Sequence, residues 1–312
     1  MTDLITRIAW LYYKEGLKES RIATTLGLSR SKVGRLLQKA RENGIVHFQV
    51  LGTATNCLEV EKKLIDLFDL QDAVVVPTVS ENKIRESLGR AAAQYLERRL
   101  TSGGLFAVGW GITISEVPKF IRSQEIRNLR IVTLNGGLTP SFYLNPYDVG
   151  SRLAYIFGGE CYYVHAPAIT ASEDLCRSLK ADATVEQALE MAKHADYSMV
   201  GIGRAGAEST LVKMRYLNLG ETEALRRQGA VGDILGQFFN VQGEKVNCDL
   251  HKRIVAFPIE DLSKMKNVIG LAGGIAKAQA ILGALHGRYI KILITDEKTA
   301  ESLINLEQRS AS

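Results

Sequence analysis

The stretch Glu19–Arg35, which reads ESRIATTLGLSRSKVGR, places Ala23 four residues before Gly27 and Val33 six residues after it. Two helices that pack at a steep angle through a short turn need a small residue where their axes approach. They also need a turn residue that tolerates positive φ. Ala23 and Gly27 meet these requirements, and Val33 falls on the face of the next helix that packs back. The stretch therefore predicts a helix-turn-helix.

The residues around this turn predict a small three-helix unit with a wing. A first helix is predicted over residues 4–13, and the helix after the turn runs from Arg30 to about Asn43 with Ser29 as its N-cap. The segment Ile45–Val50 then predicts a strand. Together these elements predict a winged helix-turn-helix domain over residues 1–52.

The positive charge of the chain is concentrated in this unit. Residues 1–52 contain nine lysines and arginines against four acids, which leaves 30 of each in the remaining 260 residues. A local excess of this kind is typical of a domain that neutralises DNA phosphates. A solvated cationic helix without a DNA partner is the alternative. The residues predicted to contact DNA from the third helix are Ser29, Arg30, Ser31, Lys32, Arg35 and Lys39.

Residues 53–312 alternate short apolar runs with helical segments, after a predicted linker at Gly52–Asn56. This alternation predicts an α/β domain built on a doubly wound parallel sheet. Ligands of such sheets bind outside the carboxyl ends of the strands. The predicted strands are Ala73–Val76, Leu105–Val108, Ile131–Leu134, Cys161–Val164, Ser198–Ile202, Val268–Ala272 and Ile292–Thr295.

Glycine-rich loops follow several of these predicted strands. Gly109–Thr113 precedes a predicted helix, an arrangement that offers backbone N–H groups and a hydroxyl to an anion. Asn135–Gly137, Gly201–Arg204 and Ala272–Lys277 repeat the pattern. Since neither a Walker A motif nor a clean GxGxxG motif follows the predicted strand Leu105–Val108, a nucleotide is not implied there. Tight packing of the glycines is the alternative reading.

Three polar residues in or near these loops are candidates for ligand contact. Asp233 lies in the apolar, glycine-rich run Gly229–Gly236, which is typical of a helix cap or of an acceptor for a ligand hydroxyl. Lys277 is predicted either to pair with a phosphate or to be solvated. His165 ends a predicted strand, where it either lines the same cleft or is structural.

With these motifs in order, the chain resembles the SorC/DeoR family of bacterial sugar-responsive regulators over essentially its whole length. The terminal stretch Ile281–Ile290 is similar to the sorbose-regulator branch in particular. The other motifs that carry the resemblance are Leu11–Tyr13, Ile22–Ala23, Leu26–Arg30, Val33 with Arg35–Leu37, Val108–Gly111, Leu134–Gly137, Ala230–Ile234 and Ala272–Gly274.

The resemblance implies a sugar-binding fold related to sugar-phosphate isomerases and a homotetramer built as a dimer of dimers. It also implies that a phosphorylated sugar or sugar alcohol alters the affinity for operator DNA. Some members place a lysine at the position of Asn135 that forms a Schiff base with an aldehyde effector, whereas an amide cannot, so noncovalent binding is expected here. The expected effector contacts are Gly109, Trp110, Gly111, Thr113, Asn135, Gly136, Gly137, His165, Asp233, Leu235 and Lys277.

The predicted function is therefore DNA-binding regulation of a carbohydrate-utilisation operon. The rival class is a sugar-phosphate isomerase or deaminase, with Asp233 or His165 as proton carrier. Such an enzyme does not need a basic helix-turn-helix, and no nucleophile motif is present, so we expect no catalytic residues. Apolar runs such as Tyr197–Ile202 fall far short of the roughly 18 residues that span a bilayer, and the chain start has no signal-peptide pattern. We expect a cytoplasmic protein without cofactor, metal or membrane contact.

Overall fold

The chain divides into two compact units, residues 1–52 and residues 53–312. The structure, a computed structural model, describes residues 2–43, 45–46, 54–122, 125–138 and 145–310.

The N-terminal unit is helical. Its elements are α1 (Thr2–Ala9), a π-helical turn (Trp10–Lys14), α2 (Glu19–Leu26) and α3 (Arg30–Glu42). Ile8, Ile22 and Val33 are completely buried between these helices. Gly27 has φ +64°, the left-handed conformation predicted for the turn between α2 and α3. The helix-turn-helix prediction is confirmed for the described residues.

Within this unit the first helix departs from its predicted form, whereas the start of α3 follows the prediction. The first helix is α-helical only to Ala9, and the wider π turn that follows leaves Trp10 56% exposed. At α3, Ser29 Oγ accepts a hydrogen bond from the Lys32 N–H at 3.3 Å, which confirms Ser29 as the N-cap. Ile45 and Val46 pack beside Ala40. The rest of the predicted wing strand lies outside the described residues.

The C-terminal unit is built on a seven-stranded sheet, and every pair of neighbouring strands in it is parallel. Each strand overlaps one of the seven predicted runs, so the α/β prediction is confirmed. The strands of this sheet are β1 (Asp72–Val76), β2 (Leu105–Val108), β3 (Arg130–Thr133), β4 (Glu160–Tyr162), β5 (Tyr197–Gly201), β9 (Val268–Leu271) and β10 (Ile292–Asp296). Their order across the sheet is β1-β10-β9-β5-β2-β3-β4.

Side chains from both faces of this sheet are buried, which is the signature of a doubly wound fold. Phe106 and Val108 of β2 belong to one apolar cluster, and Leu105 and Ala107 belong to the other. Helices cover both clusters. They are α4 (Ala54–Phe68), α5 (Glu81–Arg99), α6 (Pro146–Phe157), α7 (Glu173–Lys180), α8 (Ala183–Lys193), α9 (Thr210–Lys213), α10 (Leu219–Arg227), α11 (Ile259–Leu262), α12 (Ala278–His286) and α13 (Glu297–Ser310).

The predicted linker at Gly52–Asn56 is partly wrong, because α4 begins at Ala54. The buried positions Cys57, Val60 and Leu64 follow helical spacing, and the helix continues one turn ahead of them. No helix in the described ranges combines the length and apolar character that a membrane crossing demands.

A small antiparallel sheet lies beside the main one and was not predicted. Its strands are β6 (Gly203–Arg204), β7 (Gly232–Ile234) and β8 (Gln237–Phe239). The two-residue turn between β7 and β8 has φ +53° at Leu235 and φ +79° at Gly236, the pattern of a type I′ hairpin. Asp233 therefore sits in a strand, and the helix-cap alternative for it is wrong.

Candidate functional site

The outer face of α3 presents the side chains predicted to meet DNA. Arg30 is 77% exposed, and its Nε lies 3.5 Å from Glu19 Oε2, a surface ion pair that restrains it weakly. The N-terminal end of α3 therefore offers solvent-facing cations and hydroxyls together. The exposed residues of this face are Ser29, Arg30, Ser31, Lys32, Arg35 and Lys39.

A cavity of about 370 Å³ lies in the C-terminal unit, within the size range of small-molecule sites. Its wall includes Trp110 and Gly111 after β2, Gly201 at the end of β5, and Gly273 and Gly274 after β9. These are the carboxyl ends of three strands in the middle of the sheet, where ligands of doubly wound folds bind.

The charged residues around this cavity give it an excess of cations. Lys213 Nζ lies 2.8 Å from Glu208 Oε2, so these two charges largely offset each other. Arg85 and Arg204 form no ion pair with any described residue. Because cations without a partner favour an anion, this part of the wall is suited to a phosphate. The charged side chains of the wall are Glu81, Arg85, Arg204, Glu208, Lys213, Asp233 and Lys277.

Asp233 is the buried acid of the cavity, with 7% of its surface exposed. Its Oδ2 accepts a hydrogen bond from the Gly236 N–H at 3.1 Å. Burial raises the pKa of this carboxyl to about 6, although the Gly236 N–H and the charge of Lys277 oppose the shift. At neutral pH Asp233 is thus an ionised acceptor in a poorly solvated place, which favours hydrogen bonds from ligand hydroxyls.

Lys277 lies in a 3₁₀ turn (Ile275–Lys277) and its Nζ donates to the Ile202 carbonyl at 2.8 Å. Burial lowers the pKa of this ammonium to about 8; the Asp233 carboxylate opposes the shift, and Arg85 and Arg204 add to it. The side chain is held in the wall, so the alternative of a solvated lysine is wrong.

The Gly109–Thr113 loop meets the cavity through Trp110, Gly111, Ile112 and Thr113. Gly109 does not line it and packs against Leu235, whose Cδ2 would lie 2.6 Å from a Cβ on Gly109. The helix predicted after this loop is a six-residue 3₁₀ helix (Ile114–Lys119), with a proline inside it, rather than an α-helix. The hydroxyl of Thr113 makes no capping hydrogen bond.

The Asn135–Gly137 loop is packed away from the cavity. A Cβ on Gly136 would lie 2.8 Å from the Pro167 carbonyl carbon, and one on Gly137 would lie 2.9 Å from the Tyr147 ring. Tight packing, the alternative reading, therefore accounts for both glycines. Asn135 is buried, and its Oδ1 has no partner among the described residues.

Two further predicted contacts also lie off the cavity wall. His165 is exposed, and its ring lies 6.3 Å from that of Tyr147 and 5.7 Å from that of Tyr163. The prediction that His165 lines the same cleft is wrong, because the strand before it is the edge strand β4 rather than a central one. Leu235 is buried at the hairpin tip against Gly109.

Two cations of the cavity wall, Arg85 and Arg204, were missed as effector contacts. Arg204 stands in the Gly201–Arg204 loop, which was singled out only for its glycines, and Arg85 sits on α5. A signal for Arg204 existed, since it directly follows a strand and two glycines. Nothing in the spacing of α5 distinguishes Arg85 from a solvated helical arginine.

Comparison with known proteins gives concordant results. A family model described as "Putative sugar-binding domain" matches residues 53–305. Transcriptional regulator LsrR of Enterobacter sp. (strain 638) is 35% identical, with 97% of this chain and 93% of the relative covered. The erythritol catabolism regulatory protein EryD of Brucella abortus (strain 2308) is 34% identical, with 97% and 96% covered.

Solved structures agree with these sequence relatives. The full-length sorbitol operon regulator SorC of Klebsiella pneumoniae superposes with a TM-score of 0.75 and 26% identity, over 97% of this chain and 98% of that one. The match extends through both units of the chain.

Proposed function

The chain belongs to the SorC/DeoR family of sugar-responsive, DNA-binding transcriptional regulators, and from this premise we propose that it controls a carbohydrate-utilisation operon. We propose further that a phosphorylated sugar or sugar alcohol sets its affinity for operator DNA. Relatives named for sorbitol and erythritol support a polyol as the organic part of this effector.

The observation that carries the proposal is that the cavity wall combines several cations with a buried carboxylate. Arg85, Arg204 and Lys277 supply positive charge for a phosphate, and Asp233 supplies a buried acceptor for hydroxyls. A ligand that satisfies both must carry an anion and hydroxyls together, which describes a phosphorylated polyol or sugar. Asn135 in place of a lysine supports noncovalent binding.

The enzyme alternative loses support from the same geometry. Asp233, with its pKa near 6, has the property of a proton carrier, but His165, the second candidate, lies off the cavity wall. The curated relatives are transcriptional regulators. We therefore propose that the chain is not an enzyme and acts in the cytoplasm, where its operator lies.

The regulatory mechanism we propose acts through the spacing of paired DNA-binding units. In a homotetramer built as a dimer of dimers, two recognition helices reach half-sites about 34 Å apart or a multiple of that distance. Effector binding that rotates the subunits would uncouple the two contacts. A sedimentation measurement that finds a monomer both free and on DNA contradicts this mechanism.

The test of the function is fluorescence anisotropy on DNA from upstream of the chain's own gene, at fixed salt, titrated with sugar phosphates and polyol phosphates. Sequence-selective binding that shifts with one of these compounds supports the proposal. Binding only at the nonspecific level of roughly 10⁻⁴ to 10⁻⁶ M, indifferent to every compound, contradicts it.

The same assay tests the recognition helix. Arg35→Ala removes an exposed cation of α3, and we expect specific binding to fall about 10- to 100-fold, the range for a base-reading arginine. Arg98→Ala, at an exposed helical arginine of the C-terminal unit, is the matched control and leaves binding unchanged. Unaltered operator affinity in Arg35→Ala rules out this assignment.

A further inference from the structure

The cavity wall contains a glycine at which a carboxylate fills the space that a side chain would take. Gly203 of β6 is the cross-strand partner of Asp233 of β7. A Cβ built on Gly203 would overlap Asp233 Oδ1 and would lie 2.9 Å from Asp233 Cγ and 3.4 Å from Oδ2. All three of its nearest atoms therefore belong to this one side chain. The present position of the Asp233 carboxylate requires glycine at 203.

The surroundings of Asp233 leave few other ways to relieve such an overlap. Its Oδ2 is tied to the Gly236 N–H at 3.1 Å. The β7 backbone also packs closely against α12, where a Cβ on Gly232 would lie 2.6 Å from Ala280 Cβ. A methyl group at 203 would thus be accommodated by rotation of the Asp233 side chain, which carries the carboxylate away from its present place.

We propose that Gly203 is a positioning residue for effector recognition, which it serves by holding the Asp233 carboxylate at the cavity wall. Gly203 itself lines the cavity, so the oxygen that lies over it is at the surface a ligand meets. The inference rests on the proposed function, and it assigns recognition of the effector's hydroxyls to this glycine–carboxylate pair. Phosphate recognition is assigned to Arg85, Arg204 and Lys277, whose side chains are not among the three atoms nearest to a Cβ on Gly203.

The first test compares two glycine-to-alanine variants of the full chain by calorimetric titration. Sorbitol 6-phosphate is the probe for hydroxyls and anion together, and inorganic phosphate is the probe for the anion alone. In Gly203→Ala we expect affinity for sorbitol 6-phosphate to fall about tenfold, as for a lost hydrogen bond to a charged group, and affinity for inorganic phosphate to change by less. Gly206→Ala is the matched control, because its Cβ would meet no heavy atom within 4 Å.

A double-variant cycle separates positioning from a general structural effect. In an Asp233→Ala background the atoms that a methyl group at 203 would overlap are gone. Adding Gly203→Ala to Asp233→Ala should then change neither affinity nor the free energy of unfolding, and this non-additivity is the signature of a residue that acts through Asp233.

The outcomes are distinguishable. Equal losses from Gly203→Ala with and without the Asp233 carboxylate overturn the positioning role, as does full affinity of Gly203→Ala for sorbitol 6-phosphate. If the unaltered chain binds neither sorbitol 6-phosphate nor any other member of the sugar and polyol phosphate panel, the proposed function itself fails, and the recognition role fails with it.

Discussion

Two glycine-rich loops leave neighbouring parallel strands at the same edge of the sheet, yet only one of them reaches the cavity. Gly109–Thr113 follows β2 and contributes four residues to the wall, whereas Asn135–Gly137 follows β3 and contributes none. In the second loop the Gly136 and Gly137 N–H groups donate to backbone carbonyls, at 3.0 Å and 2.8 Å. A glycine-rich loop can serve as an anion cradle only when its N–H groups are left for a ligand.

The largest effect expected from this difference is on stability. Gly136→Ala places a methyl group against the Ala166 carbonyl oxygen and 2.9 Å from the Ala168 nitrogen, and backbone atoms cannot move aside cheaply. We expect the free energy of unfolding to fall by about 3 kcal/mol or more, as for other cases of overpacking. Urea denaturation measures it, with Gly206→Ala as control. An unchanged midpoint would show that this loop is not closely packed.

Lys277→Ala tests the role of the cavity wall in effector binding. Loss of a cation held at the wall should weaken the response to the effector about 10- to 100-fold, in line with a charge-assisted hydrogen bond to phosphate. DNA binding without effector should be spared. Lys63→Ala, at an exposed lysine of α4, is the control. If Lys277→Ala abolishes both effector response and DNA binding, Lys277 is structural.

The main sheet was predictable because parallel strands buried on both faces form continuous apolar runs. β2 was predicted to the residue, and the other strands begin or end within two residues of their predicted limits. The small sheet was not predictable, because strands of two or three residues such as β6 and β7 are too short to show a period. For this reason a helix cap is one of the two interpretations that the sequence allows for Asp233.

The candidate site was predictable only in part, for a related reason. Trp110 and Lys277 follow strands whose position in the sheet is central, whereas His165 follows β4 at the edge, and strand order cannot be read from the apolar runs. Arg85 reaches the cavity from a long helix, where its charge looks like one more solvated residue. Local pattern identifies the loops, and the tertiary fold decides which of them meet.

The smallest expected effect is a dependence of stability on pH. It arises from the buried ionisable residues of the cavity, and the Asn135–Gly137 loop has no such residue. The pKa of Asp233 rises from its ordinary 3.8 to about 6 on folding, so the folded chain binds this proton more tightly. The stability this contributes is present below pH 4 and lost as the pH rises through 6. Lys277 acts in the opposite sense, because its pKa falls from 10.5 to about 8 and its contribution is lost as the pH falls through 8.

Asp233→Asn removes the first of these dependences. Relative to the variant, the unaltered chain should lose on the order of 1–2 kcal/mol of unfolding free energy between pH 4 and pH 7. Urea denaturation of both proteins across this range checks the prediction. Parallel curves would show that the carboxyl group is better solvated than its burial indicates.

The pairing of β1 with β10 has a consequence for how the chain is made. Asp72 lies opposite Ile292, so the edge strand β1 pairs with a strand more than two hundred residues further along the chain. Contacts this remote in sequence are slow to form. The N-terminal helices can fold as soon as they leave the ribosome, but at ~5–20 residues per second β10 emerges roughly 10 to 50 s later. A nascent chain therefore acquires its basic helical unit well before the domain that controls it, and β1 stays without its sheet neighbour until β10 emerges.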